Sequence, residues 1–237
     1  MTTTLLFPEM APDPTFDFPQ TLAEKYRPRL ISDFAGLRSN PTATVDGPKD
    51  ALTDFVARPC NRGFLFVGPA GTGKTSMGMA LATELQAFMH HIPAGLCTVD
   101  ALAREIHSCH YCPPPGFKRH LILIDEADLM SQAAQDKCLS KLDGTDTVPD
   151  TVWVFTANAT DRLHPRFLSR NKVLNFTNYA MQSDESALLE RVWLSEMGPD
   201  APRPNFAAIS KASLGNVRHG LELLDGKISA TRRMIAA

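Results

Sequence analysis

Gly68-Pro69-Ala70-Gly71-Thr72-Gly73-Lys74-Thr75 decides how the rest of this chain is read, because it fits the pattern G-x-x-x-x-G-K-[ST] at every fixed position. Phe64-Leu65-Phe66-Val67 just before it is a short apolar run that predicts a buried strand. Ser76-Met77-Gly78-Met79-Ala80-Leu81-Ala82 after it predicts a helix. A strand, a glycine-rich turn and a helix in that order place successive backbone N–H groups and the positive end of the helix around one point, which suits phosphate oxygens. The stretch therefore predicts an ATP site formed by residues 68–75 together with Ser76. Lys74 reaches the β- and γ-phosphates, and the Thr75 hydroxyl falls where Mg²⁺ needs a ligand. The competing reading, a glycine-rich turn with a chance lysine, accounts for neither flank.

Working outward, the bulk composition sets limits. With 237 residues, 43% of them apolar, the chain can bury a sizeable core in one large domain or one plus a small appendage. A formal net charge of −2 supplies no overall positive field to draw it to nucleic acid, so any DNA contact must be local. Five cysteines without a regular framework indicate free thiols in a reducing compartment. The apolar runs are too short to span a bilayer, and the amino terminus lacks a leader pattern. The expectation is a soluble intracellular protein, cytoplasmic, or nuclear in a eukaryote, with no membrane partner.

Residues 1–20, with Pro8, Pro12, Pro14 and Pro19, are expected to be a disordered tail. Gly47-Pro48 can open a helix that Pro59 closes. A second strand is expected over 87–92, and a helix capped by Thr98 through Ile106. A loop is expected over 111–116, where three prolines stand together. Residues 121–124 predict a strand, Ser131 the start of a helix through Leu142, and 152–155 and 173–176 two more strands. Short apolar strands alternating with helices predict an α/β fold, a parallel sheet with helices on both faces, over 21–180. From about Ser183 the strands stop. Leu188, Leu189, Val192 and Trp193, then Phe206 and Ile209, then Val217, Leu221, Leu224 and Ile228 make helical faces, predicting a small all-α lid over 181–237.

The apolar run 121–124 leads straight into Asp125-Glu126-Ala127-Asp128, placing two acids at the carboxyl end of a strand near the glycine loop. This is the Walker B arrangement. Asp125 is the candidate metal residue, and Glu126 the candidate base for the water that attacks the γ-phosphate. Asn158 follows the next strand, so it emerges at the same sheet edge. Arg170, in Pro165-Arg166-Phe167-Leu168-Ser169-Arg170, and Arg218, in Gly215-Asn216-Val217-Arg218, complete the candidates. Each arginine taken alone reads equally as a surface charge.

The order of these motifs over about residues 22–226 resembles the AAA+ ATPases, which carry the P-loop NTPase sheet, and among them the clamp-loader branch, the replication factor C small subunits. That resemblance implies that Glu24-Lys25-Tyr26-Arg27-Pro28 lies over the adenine, that Asn158 is sensor 1 and that Arg218 is sensor 2. It implies that Ser169-Arg170 supplies an arginine finger to a neighbour. It further implies an oligomer of AAA+ subunits, a ring or spiral, that hydrolyses ATP between subunits and works on DNA and a sliding clamp in replication or repair. Asn171 departs from the pattern, which usually has cysteine there, and Lys141-Leu142-Asp143-Gly144 looks more like protein-remodelling members. The chain stops soon after the helix bearing Arg218, so the third, collar domain of clamp loaders is not expected in it.

Two rival functions follow. An ATP-driven protein remodeller fits the missing collar and the lack of positive charge, leaving Lys137 and Lys141 as candidates for a phosphate backbone or simply a solvated face. A nucleotide-gated assembly subunit usually shows a damaged Walker B glutamate or finger, and both Glu126 and Arg170 are present. Cys109-x-x-Cys112, with His107, His110 and Cys97 nearby, could supply zinc ligands. A second Cys-x-x-Cys is missing, so the expectation is ordinary reduced cysteines with less than stoichiometric zinc.

Overall fold

Leu121, Ile122, Leu123 and Ile124 are fully buried, and a segment apolar on both faces is stable only where both faces are covered. The computed structural model, which describes residues 20–39, 46–142, 148–176 and 181–235, covers them with helices. The expected tail falls almost wholly outside the described residues, as do Asp143, Gly144 and the expected domain boundary at 180/181.

The elements run α1 (Leu22–Lys25), α2 (Pro48–Ala57), β1 (Arg62–Val67), α3 (Lys74–Glu84), β2 (Ala87–Pro93), α4 (Val99–Ser108), β3 (Arg119–Asp125) and α5 (Gln132–Leu142). Then come β4 (Thr151–Ala157), α6 (Pro165–Arg170), β5 (Asn171–Asn175), α7 (Met181–Met197), α8 (Phe206–Ser213) and α9 (Val217–Ile235). The strands form a five-stranded sheet in the order β2-β3-β4-β1-β5, parallel at every pairing. After β1 the chain therefore crosses to the far edge before returning. The strand order reverses at β1, where loops diverge and leave a crevice at the carboxyl ends.

Alternation along the strands splits the core. Leu121 and Leu123 join Phe64, Phe66, Met77, Leu81 and Val154 beneath α2 and α3. Ile122 and Ile124 join Leu65, Leu102, Leu139, Trp153 and Phe167 beneath α4, α5 and α6. A third cluster holds Leu189, Val192, Trp193, Ile209, Leu221, Leu224 and Ile228 from α7, α8 and α9. Leu22 belongs to this third cluster, so the segment expected to belong with the α/β domain packs on the helices. Glu196 holds it there, accepting from Lys25 Nζ at 2.6 Å, Tyr26 Oη at 2.9 Å and Arg232 Nη2 at 3.1 Å.

Thr98 caps α4 as expected, its hydroxyl accepting from Ala101 N–H at 3.1 Å. Two boundaries differ. The helix after the loop starts at Lys74 rather than Ser76. The last strand runs over Asn171–Asn175 rather than 173–176, because backbone pairing with Gly63 does not require an apolar side chain. Among the described residues, no helix is long and apolar enough to cross a membrane.

Candidate functional site

The loop between β1 and α3 is built on glycines whose conformations other residues rarely adopt. Gly71 has φ 79° and Gly73 φ 91°, the region glycine enters without steric cost. A Cβ at Gly71 would also overlap the Asn216 side chain, which comes from the turn before α9. Lys74 is buried, and its ammonium donates to the carbonyls of Gly68 at 2.6 Å and Pro69 at 2.8 Å, and to Asn158 Oδ1 at 3.1 Å. Burial holds its pKa below the ordinary lysine value, while Asp128, Asp125 and Glu126 act in the opposite direction.

Asp125 ends β3 and gathers three donors. Its Oδ1 accepts from the Thr75 hydroxyl at 2.8 Å and the Thr156 hydroxyl at 3.0 Å, and its Oδ2 lies 2.6 Å from His91 Nε2. Thr156 in turn accepts from the Glu126 backbone N–H at 3.0 Å. Glu126 itself sits at φ 52° and ψ 48°, a left-handed conformation that costs a non-glycine residue about 1–3 kcal/mol and concentrates at functional sites. Thr156 and His91 were not singled out in the sequence. Thr156 had a signal, since it is a hydroxyl near the carboxyl end of β4, two residues before Asn158. His91 had none, because which residue of an edge strand meets Asp125 depends on the register of β2 against β3.

Lys74, Thr75, Glu126, Thr156 and Asn158 border one cleft of about 630 Å³. It is lined by Tyr26, Arg27 and Pro28, by 70–76, by Glu126 and Asn158, and by Val217, Arg218 and Leu221 from the helices. Of the sequence-predicted residues, Gly68 and Pro69 turn their carbonyls to Lys74, and Asp125 stands behind Thr75. Arg170 is not among the lining residues; it closes α6, where its Nη1 donates to the Arg166 carbonyl at 3.2 Å. Lys137 and Lys141 lie half-buried on α5, away from the cleft lining.

The donor chemistry suits a nucleotide and a hard cation. Positive-φ glycines open the loop backbone toward the cleft at the amino end of α3, a favourable seat for anionic oxygens. A hydroxyl and a carboxylate already in contact offer the oxygen ligands Mg²⁺ takes.

The cysteines fall differently from the spacing-based zinc alternative. Cys60 and Cys112 are exposed, whereas Cys97, Cys109 and Cys138 are buried. His107 and His110 are exposed, and His107 Nε2 lies 3.3 Å from Tyr111 Oη. The histidines that converge on Cys109 are instead His90 and His120.

Residues 64–179 match the family described as "ATPase family associated with various cellular activities (AAA)". The replication factor C small subunit of Picrophilus torridus is 27% identical over 210 residues, covering 85% of this chain and 62% of that protein. Replication factor C subunit 3 of Saccharomyces cerevisiae is 29% identical over 210 residues, covering 85% and 58%. The chain thus spans less than two thirds of the length of these relatives. In structure it is similar to the Thermotoga maritima RuvB Holliday junction branch migration motor, with a TM-score of 0.65 at 19% identity, over 84% of this chain and 64% of that one. That likeness establishes the fold.

Proposed function

We propose that this chain, whose residues 64–179 match the AAA ATPase family, is a Mg²⁺-dependent ATP hydrolase that works at the contacts between AAA+ subunits of a ring or spiral. The observation that carries the reading is convergence. Lys74 meets Asn158 at 3.1 Å, Thr75 meets Asp125 at 2.8 Å, and Glu126 and Arg218 border the same cleft.

Bound together, ATP supplies the phosphoryl group and Mg²⁺ supplies positive charge on its oxygens. The chain's residues do the rest. The loop N–H groups and Lys74 hold the β- and γ-phosphates, while Thr75 and Asp125 hold the metal. Tyr26, Arg27 and Pro28 border the base. Glu126 accepts a proton from the attacking water, which Asn158 orients. Arg218 answers the γ-phosphate from the helical side, and a neighbour's Arg170 meets the charge that grows in the transition state. The helical region from 181 acts as a lid over the α/β domain, since Asn216 and Arg218 approach the glycine loop from it.

Similarity to replication factor C proteins supports a clamp-loader-like role inside the cell, on DNA or a DNA-bound partner such as a sliding clamp. The test is ATP turnover and molecular mass with and without Mg²⁺ and primed DNA. Turnover that requires Mg²⁺, assembly beyond a monomer and stimulation by primed DNA are expected. Turnover indifferent to DNA overturns the DNA role and favours a protein remodeller. Activity in a stable monomer overturns catalysis between subunits.

A further inference from the structure

A second polar cluster lies away from the nucleotide cleft, between the sheet edge and the end of α4. His90 in the middle of β2, His120 near the start of β3 and Cys109 at the carboxyl cap of α4 are 8%, 3% and 2% exposed. One ligand atom from each lies within 4.8 Å of the other two.

The partners of the two rings determine where their protons sit. His120 Nε2 is 2.9 Å from the carbonyl oxygen of Tyr111, which can only accept, so Nε2 carries the hydrogen. His90 Nδ1 is 2.7 Å from Glu105 Oε2, so it carries the hydrogen toward the carboxylate. That leaves the facing atoms, His90 Nε2 and His120 Nδ1, 3.0 Å apart as two lone pairs pointing at one another. In neutral rings this contact is repulsive. Either an extra proton or a cation must sit between them.

We propose that His90 Nε2, His120 Nδ1 and Cys109 Sγ bind a structural Zn²⁺. The third donor decides between proton and metal: a proton shared by two imidazoles has no use for a sulfur, whereas zinc takes nitrogen and thiolate ligands together. Two imidazole nitrogens at Zn–N distances of about 2.0–2.1 Å and a tetrahedral angle are about 3.3 Å apart, close to the spacing already present. The outer groups match as well. A carboxylate behind one ligating histidine and a backbone carbonyl behind the other are the contacts that orient imidazoles on a metal. Water takes the fourth position. The ion ties the 109–118 segment, with its three adjacent prolines, to the two strands, and its binding energy adds directly to folding. The site is independent of the ATP cleft, and it differs from the Cys109–Cys112 pair that spacing alone suggests.

The test is elemental analysis of the full chain purified without chelator, and of protein refolded with Zn²⁺ or Co²⁺ and desalted. We expect one zinc per chain. The Co²⁺ form should show the thiolate charge-transfer band and the strong visible bands of a tetrahedral site. Cys109→Ser and His120→Gln should lose the metal and Cys112→Ser should keep it, while Glu105→Gln should bind about 10–100-fold more weakly. Wild-type protein that carries no metal after refolding in excess Zn²⁺, copper in place of zinc, retention by Cys109→Ser, or a cobalt spectrum without a thiolate band would each overturn the proposal. If the ligand variants fail to fold by circular dichroism, the metal content and cobalt spectrum of the wild type decide.

Discussion

The Thr75 hydroxyl donates a 2.8 Å hydrogen bond to Oδ1 of Asp125, a residue fifty positions further along the chain. The contact joins the first turn of α3 to the end of β3 across the intervening strand β4, because β4 and β1 place those ends side by side. It brings together two oxygen ligands of the kind Mg²⁺ prefers. Thr75→Ala is therefore expected to raise the Mg²⁺ concentration for half-maximal ATP turnover by about tenfold or more, equal to ~1.4 kcal/mol of lost metal binding. Thr75→Ser, which keeps the hydroxyl, should stay near the wild type. A magnesium titration of turnover for the three proteins checks this.

Glu126 and Lys74 border the same cleft but should fail differently. Glu126→Gln keeps shape but cannot accept a proton, so ATP binding should persist while kcat falls by about 10²–10⁴-fold. Lys74→Ala removes the ammonium from the phosphate loop and should lose binding itself. Equilibrium binding of a fluorescent ATP analogue, measured beside single-turnover hydrolysis, separates the two. Normal turnover by Glu126→Gln would refute its role as base.

Arg170 does not line its own chain's cleft, as a residue serving a neighbour should not. A finger supplied to a phosphoryl-transfer site is worth about 10³–10⁵ in rate, against ~0–1 kcal/mol for a surface ion pair. Arg170→Ala should bind ATP normally, hydrolyse it very slowly, and regain turnover when mixed with Glu126→Gln chains. The mixed interface pairs an intact Glu126 with an intact Arg170. Mixed assemblies that form yet stay inactive would shift the assignment to Arg166.

The thiols should divide by burial. Burial pushes Cys97 up to about 11 and Cys138 further still, Cys109 is buried as well and is a ligand of the proposed zinc, and Cys60 and Cys112 are exposed. The thiolate is the nucleophile. At pH 8 two cysteines per chain should alkylate rapidly in the native protein and three only on unfolding, which mass spectrometry after timed iodoacetamide treatment can count.

Stability should depend on pH through Glu196. Hydrogen bonds from Lys25, above all, and then from Tyr26 and Arg232 hold its carboxyl below the ordinary glutamate value. A lowered carboxylate pKa contributes stability that is complete above its unfolded value of 4.5 and is lost as pH falls through the folded value. Glu196→Gln should therefore lower the unfolding temperature at pH 7 and make little difference near pH 3. Thermal melts at the two pH values test it.

The strand and helix pattern was legible in the sequence, because period and apolar runs are local properties: 121–124 and 152–155 could hardly be anything but buried strands. The glycine loop was legible as a spacing, and so was the succession of acids, Asn158 and the two arginines. What no local property carries is which strands lie side by side. That order places Thr156 under Asp125 and His91 against its other oxygen, and the packing of the C-terminal helices places Asn216 over Gly71. The same cause hid the histidine cluster. Reading along the chain paired Cys109 with Cys112 three residues away, whereas β2 and β3, parallel and in register with Phe88 opposite His120, set two histidines thirty positions apart on one buried face beside Cys109. Sequence by itself determined the elements and the strand, glycine-loop and helix succession, since backbone sterics and side-chain period act over a few residues. Tertiary structure alone decided which distant groups meet, since burial of both sheet faces selects one strand order and one register.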